Sequence, residues 1–465
     1  MDKKKAWEFE LEVMDRSMPV ILSEEEQTWD ENFDIEAIED RNIRLRWESH
    51  VPGSGAEEHV IVAAMQAMHN MGYDVSQAEE LIEGGLKAHR EDDIPEMSRL
   101  WSRVLYLLSK APKAPSHPYW SYKIYDSYDQ YRKAVTFHKY PYDIHSPDFQ
   151  ARTHLGWVAQ ICAGAVGTAI EGYKTDNIRK VFGEIRDYPR TPNTFNDDIT
   201  YEIAFLKALE KRGGELTSAD IAEQWIALIP AGWTAEEIAL KNIRLGVYPP
   251  ESGYRNNPYR EWIGAQMRGA ICGMVAPGDP ERAAYLAYMD GVVSHHNNGV
   301  MGEIFNAVLV SLSYVKTDIR ELVEETFQAI PKDCEYYSVI DYALGLCKTC
   351  PDWESAWRQC EEKFKTYNWI HAYPNAAAQI IALWYGKSFD EMIHIIAMEG
   401  YDVDCNAAQI ATAYAILEGK PLDRRWTDPI GDKLETYMRG IRETSIRDLA
   451  RYTCDMAQKA QEIKV

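Results

Sequence analysis

From residue 155 onward nearly every periodic segment repeats its apolar residues at helical spacing, and the alternation that marks a half-buried strand is almost absent. A chain written this way buries itself by packing helix on helix. Its chemistry is then left to helix ends and the loops between them. The spacing predicts helices over 156–170, 199–211, 219–228, 234–246, 261–275, 281–294, 302–313, 319–329, 337–348, 376–385, 389–399 and 406–417. The first of these is rich in Gly and Ala, so another helix can approach it closely. The expected fold class is all-α.

The first 148 residues read differently. Residues 24–40 hold nine acids and no base, which suits a solvated arm or a surface loop with one short helix. Helices are predicted over 56–71 and 95–109, and another starts at Ser76 with Glu79 in capping-box position. A Pro-rich stretch over 111–118 and an aromatic-rich region over 119–142 follow. The expected organisation is a mostly helical N-terminal extension or subdomain over 1–148 and a helical body over 149–465. At 465 residues the chain has ample length for both.

Charge narrows the partners. Fifty Lys plus Arg stand against 73 Asp plus Glu, a net −23, and broad contact with nucleic acid or an anionic membrane needs the opposite balance. The amino terminus has no apolar core of signal-peptide type, and no stretch approaches the length of an apolar membrane span. Cys347 and Cys350 form the only C-x-x-C among eight cysteines, with no His or Cys at zinc spacing nearby. A cytoplasmic protein with reduced thiols is the expectation. Phosphate-loop, dinucleotide-turn, H-E-x-x-H and nucleophile-elbow motifs are absent.

Four polar constellations interrupt the helices. Asn196-Asp197-Asp198 precedes one helix, where carboxylates meet free N–H groups and the positive end of the dipole. That pattern suits an N-cap with a solvated acid, and equally a hard-metal site. Asp402-Val403-Asp404-Cys405-Asn406 repeats the arrangement before another helix, and its i, i+2 carboxylates can converge on one centre. Ser294-His295-His296-Asn297-Asn298-Gly299, followed by Gly302-Glu303, suits a polar loop lining a cleft better than a zinc pair, since adjacent His on a helix diverge. His371 with Pro374-Asn375 opens a further helix that Asn375 is placed to cap, and His371 suits either a structural bond or the cleft lining. Glu171 ends the Gly/Ala helix as an ordinary terminal residue or as a base or substrate clamp, and the loop over 251–259 is of the kind that covers a site.

These motifs, in this order and spacing over residues 152–430, resemble those of the ADP-ribosylglycohydrolases. The resemblance implies an all-α fold with a two-magnesium cleft and hydrolysis of a ribose C1 bond. It implies metal ligands at Asn196, Asp197, Asp198, Asp402, Asp404 and Cys405, with one or two Mg²⁺ and Mn²⁺ as an alternative ion. Glu171 matches the acid beside the ribose. Asn196 stands where the family usually has Thr, and Cys405 where it has Thr or Ser. Sulfur is a poor magnesium ligand. An Asp common early in the Gly/Ala helix is replaced by Gly164-Ala165. The implied mechanism has Asp198 or Glu171 taking a proton from water and His295 or His371 positioning the leaving group. His296, Asn298, Glu303, His371 and Asn375 are the expected substrate contacts. The expected partner is a small ribosyl substrate or an ADP-ribosylated molecule, with the oligomeric state open. The alternative is a family member that has lost activity and kept a binding or interaction role.

Overall fold

The computed structural model describes residues 4–27 and 30–465. At its centre the helices Pro147–Gly167 and Val403–Glu418 lie against each other, the second buried over almost its whole length and the first from Gly156 onward but for the half-buried Val158. Glycine sets how close they come: a Cβ on Gly167 would stand 2.1 Å from the Asp404 nitrogen. The Gly/Ala helix is therefore the cradle of the second acidic turn. It starts earlier than its periodicity suggests, because Pro147 sits in its first turn and Ser146 caps it, accepting from the Phe149 nitrogen across 3.2 Å. Asn298–Ser313 also runs through the core with every residue buried. Some of its polar side chains reach backbone, as when Asn306 Nδ2 donates to the Gln266 carbonyl at 2.7 Å, while both Glu303 carboxyl oxygens are buried without a hydrogen-bond partner.

The all-α expectation holds. Among the described residues the strands are confined to two small antiparallel hairpins, Ser49–His50 with Glu57–Glu58 and Leu434–Met438 with Ile441–Thr444. No helix there is long and apolar enough to cross a membrane. All eight cysteines are free.

Several elements differ from expectation for physical reasons. The helix over 261–275 is broken into a 3₁₀ turn Gln266–Arg268 and a short helix Ala270–Met274. Its first residues pair with the chain near His371 instead, the Ile263 nitrogen donating to the Ile370 carbonyl at 2.8 Å. The helix Ala372–Tyr385 is capped by His371, not Asn375, because the His371 ring accepts from the Tyr373 nitrogen at 3.2 Å. Ser76 opens only the single turn Ser76–Glu79, without a side-chain cap, and Asp74 takes the Ser76 N–H at 3.1 Å. Trp353–Lys363 and Ile446–Ala460 are further helices with clear side-chain caps, from Asp352 and Ser445.

The acidic stretch over 24–40 contains a 3₁₀ turn Glu25–Gln27 and most of the 18-residue helix Asp30–Trp47, while residues 28–29 and the first three of the chain lie outside the described residues. Trp47 explains the helix. Its ring is fully buried, its Nε1 donates to the Met97 carbonyl at 3.1 Å, and a Cβ on Gly85 would collide with it. Around it Val60–Asn70, Ile82–Arg90 and Ile94–Lys110 close a second hydrophobic cluster, which also takes in Ala235, Tyr259 and Trp262 from later in the chain. Buried ion pairing of Arg46 with Glu237 and a bond from Trp233 Nε1 to Glu58 at 2.9 Å fasten the two regions together.

Candidate active-site cleft and metal centre

Two helix N-termini converge on one point. Asp197–Arg212 starts with Asn196 as its cap, whose Oδ1 accepts from the Asp198 nitrogen at 2.8 Å. Val403–Glu418 starts from Asp402, after a turn in which Gly400 and Tyr401 both take positive φ, 77° and 64°. That turn is held open by pairing with 172–174: the Gly172 nitrogen donates to the Tyr401 carbonyl and the Tyr401 nitrogen to the Tyr173 carbonyl, both at 2.9 Å. The Tyr401 ring packs edge-on to Trp357 at 5.3 Å. A non-glycine residue at positive φ costs energy that surrounding contacts must supply, and such strain concentrates at functional turns.

The product is a cluster of carboxylates in low-dielectric surroundings. Donor atoms of Asp402, Asp404 and Cys405 lie within 4.8 Å of one another. Asp198 is fully buried, and Glu171 is a hydrogen-bond neighbour of Asp404. Burial first, and then mutual repulsion, push the carboxyls of Glu171, Asp198 and Asp402 well above the usual range. Asp197 meets water in the cleft, yet the walls around it and Asp404 still push it up to about 6.

A direct observation tests whether a cation fits. Asp198 Oδ2, Asp402 Oδ1 and Asp404 Oδ1 are buried without any hydrogen-bond partner. Orphaned carboxylate oxygens are costly, and a divalent cation would satisfy them. The carboxylates therefore fit a hard cation. The Cys405 sulfur does not: it donates to Asp198 Oδ1 at 3.3 Å, and burial with the surrounding acids pushes its thiol far up, so it stays protonated.

Above the cluster lies a cavity of about 890 Å³, lined by Glu171, Asn196, Asp197, Asp402, Asp404 and Cys405 at its floor. Its walls include residues that no motif announced. Arg41, His50 and Gly53 arrive from the N-terminal region, and Arg190, Trp233 and Trp369 from the body. Gly53 lies so close that a Cβ there would stand 3.0 Å from Glu171 Oε1.

The other expected contacts are placed elsewhere. His295 is fully buried, its Nδ1 2.7 Å from Ser294 Oγ and 3.8 Å from Glu236 Oε1. Burial holds its ring well below the usual range, hence neutral. His296 lines a different cavity and bonds Asp126 at 3.1 Å. Asn298 is spent between Glu261 Oε2 and the Tyr336 nitrogen, at 3.2 and 3.1 Å. Glu303 is buried 3.9 Å from Arg268. His371 caps its helix, and burial pushes its ring down to about 3. Asn375 stands beneath the site: its Oδ1 accepts from the Asp402 nitrogen at 3.3 Å and from Asn406 at 2.7 Å, fixing the second acidic turn.

Glu236 is the main carboxylate that the motifs did not reveal. It lines the cleft, ion-paired to the fully buried Arg268 at 3.1 Å, with burial pushing it up to about 7. The same guanidinium also pairs with Asp290 and faces Trp225 at 4.8 Å. No local pattern links positions this far apart.

The fold is an all-α body with a carboxylate-floored cleft at two helix starts. A model of the ADP-ribosylglycohydrolase family matches residues 145–462, and the chain belongs to that family. Membership supports a hydrolase of the glycohydrolase class. No curated protein matches the chain. A solved structure titled "ADP-ribosylglycohydrolase-related protein complex" is similar at 16% identity and a TM-score of 0.49, covering 68% of this chain and 100% of its own.

Proposed function

We propose that this protein hydrolyses the ribose C1 bond of an ADP-ribosyl group, with Mg²⁺ or Mn²⁺ held by Asp197, Asp198, Asp402 and Asp404. The observation that carries the reading is the set of three buried, unpartnered carboxylate oxygens under the cleft of a family member. When bound, such a cation supplies charge that orients sugar hydroxyls and acidifies a water.

The chain's own residues do the rest. Glu171 lines the cleft beside Asp404, with burial and the neighbouring acids raising its carboxyl; with a cation offsetting that repulsion it is the better-placed group to take a proton from the attacking water. Asp198 is buried behind the cleft floor and serves better as a ligand than as the base. As the bond to C1 loosens, the surrounding carboxylates stabilise the oxocarbenium-like charge on the sugar. His295 acts through Glu236 rather than on the leaving group, in keeping with its 3.8 Å separation from that carboxylate. The cavity is larger than a ribose needs. Trp233, Trp369 and Phe195 offer ring surfaces, and Arg41 and Arg190 form no ion pair among the described residues. Those features suit an anionic, ring-bearing substrate better than a bare riboside.

A second reading, binding without turnover, is favoured by one observation, the Cys405 thiol that stands at a ligand position and donates to Asp198 Oδ1 at 3.3 Å. The test is a panel of ADP-ribosylated peptides, O-acyl ADP-ribose and simple ribosides incubated with Mg²⁺ and resolved by chromatography. Release of ADP-ribose, lost in Asp404→Asn, is expected. Calorimetric binding of ADP-ribose with no bond cleaved across the panel would establish the second reading, and preferential cleavage of simple ribosides would replace the substrate assignment.

A further inference from the structure

A second cavity, of about 510 Å³, shares no lining residue with the carboxylate cleft. Its size is that of a small-molecule site. It is built jointly: Tyr73 and Trp120 come from the N-terminal region, and Tyr254, Arg260, Tyr288 and His296 from the body. Two of the polar stretches that the cleft does not absorb, the loop over 251–259 and the His295-His296-Asn297 run, both end here.

The walls are preformed. Tyr73 stands edge-on to Trp120 at 5.3 Å, and Tyr254 to His296 at 5.3 Å. Trp120 Nε1 is already spent on the Gly72 carbonyl at 2.8 Å, so the indole brings ring surface, with Lys113 Nζ against it at 4.0 Å, rather than a donor. Asn257 pins the loop, its Nδ2 reaching the Ser294, Gly253 and Ala235 carbonyls at 2.9, 3.0 and 3.2 Å. Two of the non-glycine residues at positive φ, Asn256 at 52° and Asn297 at 49°, line this cavity. Asn297 is fixed there by accepting from the Tyr125 nitrogen at 3.2 Å and donating to Glu261 at 3.0 Å.

Arg260 decides the charge of the ligand. Its Nη1 donates to the Asn257 carbonyl at 2.9 Å and its guanidinium lies 6.0 Å from the Tyr73 ring. It forms no ion pair among the described residues, in a chain whose net charge is −23. Asp126, the acid in the same wall, is bonded to His296 at 3.1 Å, and Arg260 Nη1 also reaches Met68 Sδ at 3.6 Å. The guanidinium thus keeps its charge in the wall without an ion-pairing carboxylate among the described residues and can receive an anion. The aromatic rings alone would suit a cationic guest, but the guanidinium beside them disfavours it.

We propose that this cavity binds a small molecule in which a planar aromatic ring is joined to an anionic group, of the nucleoside monophosphate type, independently of the carboxylate cleft. The ring is held by Tyr73, Trp120 and Tyr254, and the anion by Arg260.

The experiment is calorimetry on the full chain in chelator, titrating AMP, adenosine, inorganic phosphate and 4-hydroxyphenylacetate. AMP is expected to bind one per chain, with adenosine and phosphate each weaker by about tenfold or more. The carboxylate separates the two sources of this chemistry: if it binds more tightly than AMP through Arg260, the nucleotide-type assignment is overturned. Arg260→Gln should weaken AMP binding by about tenfold, and Tyr254→Ala, at a ring that is 42% exposed, by severalfold with an unchanged melting curve. Asp404→Asn should leave the isotherm unchanged. No AMP binding, or AMP binding that Asp404→Asn removes while Tyr254→Ala and Arg260→Gln do not, overturns the proposal.

Discussion

The thiol of Cys405 donates to Asp198 Oδ1 across 3.3 Å and so ties the start of one central helix to the start of another. It occupies a position where the acids around it would be served by a hard oxygen. Burial keeps the sulfur protonated, so it contributes a proton donor rather than a ligand.

Replacing it therefore makes a clear prediction. Cys405→Ser offers an oxygen of similar size at the same place, and Mg²⁺ should bind more tightly by roughly tenfold, about 1.4 kcal/mol. Calorimetry with Mg²⁺ reads it directly. Equal or weaker affinity in the serine variant would remove position 405 from the metal shell.

Asp404→Asn should separate function from stability. It removes a carboxylate from the proposed ligand set while leaving an amide of the same size in the hydrogen-bonded cluster with Asp402 and Glu171, so the metal-free protein should keep its urea midpoint while hydrolysis falls at least about a hundredfold. A variant that loses both stability and activity would mean that Asp404 has a structural role instead.

The pH dependence follows from carboxyls away from the cluster floor. Glu202 is pushed up to about 8 and Glu236 up to about 7, each chiefly by burial. Unfolded, both titrate near about 4.3. Between those limits the folded protein binds more protons than the unfolded chain, so stability present at low pH is lost as pH rises through the folded values. In chelator the urea midpoint should fall from about pH 5.5 to about pH 8.5. Saturating Mg²⁺ should raise the profile most at high pH and so flatten it, because the cation competes with protons for the raised carboxyls of the cluster. A flat or rising profile in chelator would contradict the burial of these two acids.

Arg268 should be among the least replaceable side chains. It is fully buried and pairs with Glu236 and Asp290, with Glu303 at 3.9 Å. Arg268→Ala would strand several acids in the core and should cost about 3–5 kcal/mol by denaturant unfolding. A loss under about 1 kcal/mol would show that those acids are already protonated and need no counter-charge.

At the mouth, Arg190→Gln should raise KM for an ADP-ribosylated peptide by roughly tenfold and leave kcat nearly unchanged, because under the proposed function it lines the cleft wall that would meet the remote part of the substrate. Equal effects on a simple riboside would point to a collapse of the wall. Arg190 donates to the Gly53 and Thr168 carbonyls, so that control is needed.

Much of the fold was legible because helical periodicity and caps are local. Phe389–Glu399 matches its periodicity at both ends, and Asp197–Arg212 begins where its acids and Asn196 cap suggest. The acidic floor was legible for the same reason, since each half is a short motif at a helix start. What escaped depends on distant pairing. The break at Gly264 and Gly269 answers to Glu236 and to the Glu303 carbonyl, against which a Cβ at either glycine would collide. Asp30–Trp47 is held by a tryptophan whose partners lie far along the chain, and half of its own residues are charged. Glu236 and Arg268 carry no motif at all. Asn298 and Glu303 stood in a recognisable run, but their side chains turn into the core, a direction that local spacing does not encode.

The family match begins at residue 145, whereas Arg41, His50 and Gly53 stand on the cleft wall. The floor and the rim of the cleft thus come from different stretches of the chain. Comparison with relatives can transfer the reaction chemistry of the floor, but selectivity at the rim must be learned from this protein itself. A fragment trimmed to the family boundary would keep the acids and lose part of what decides which molecules reach them.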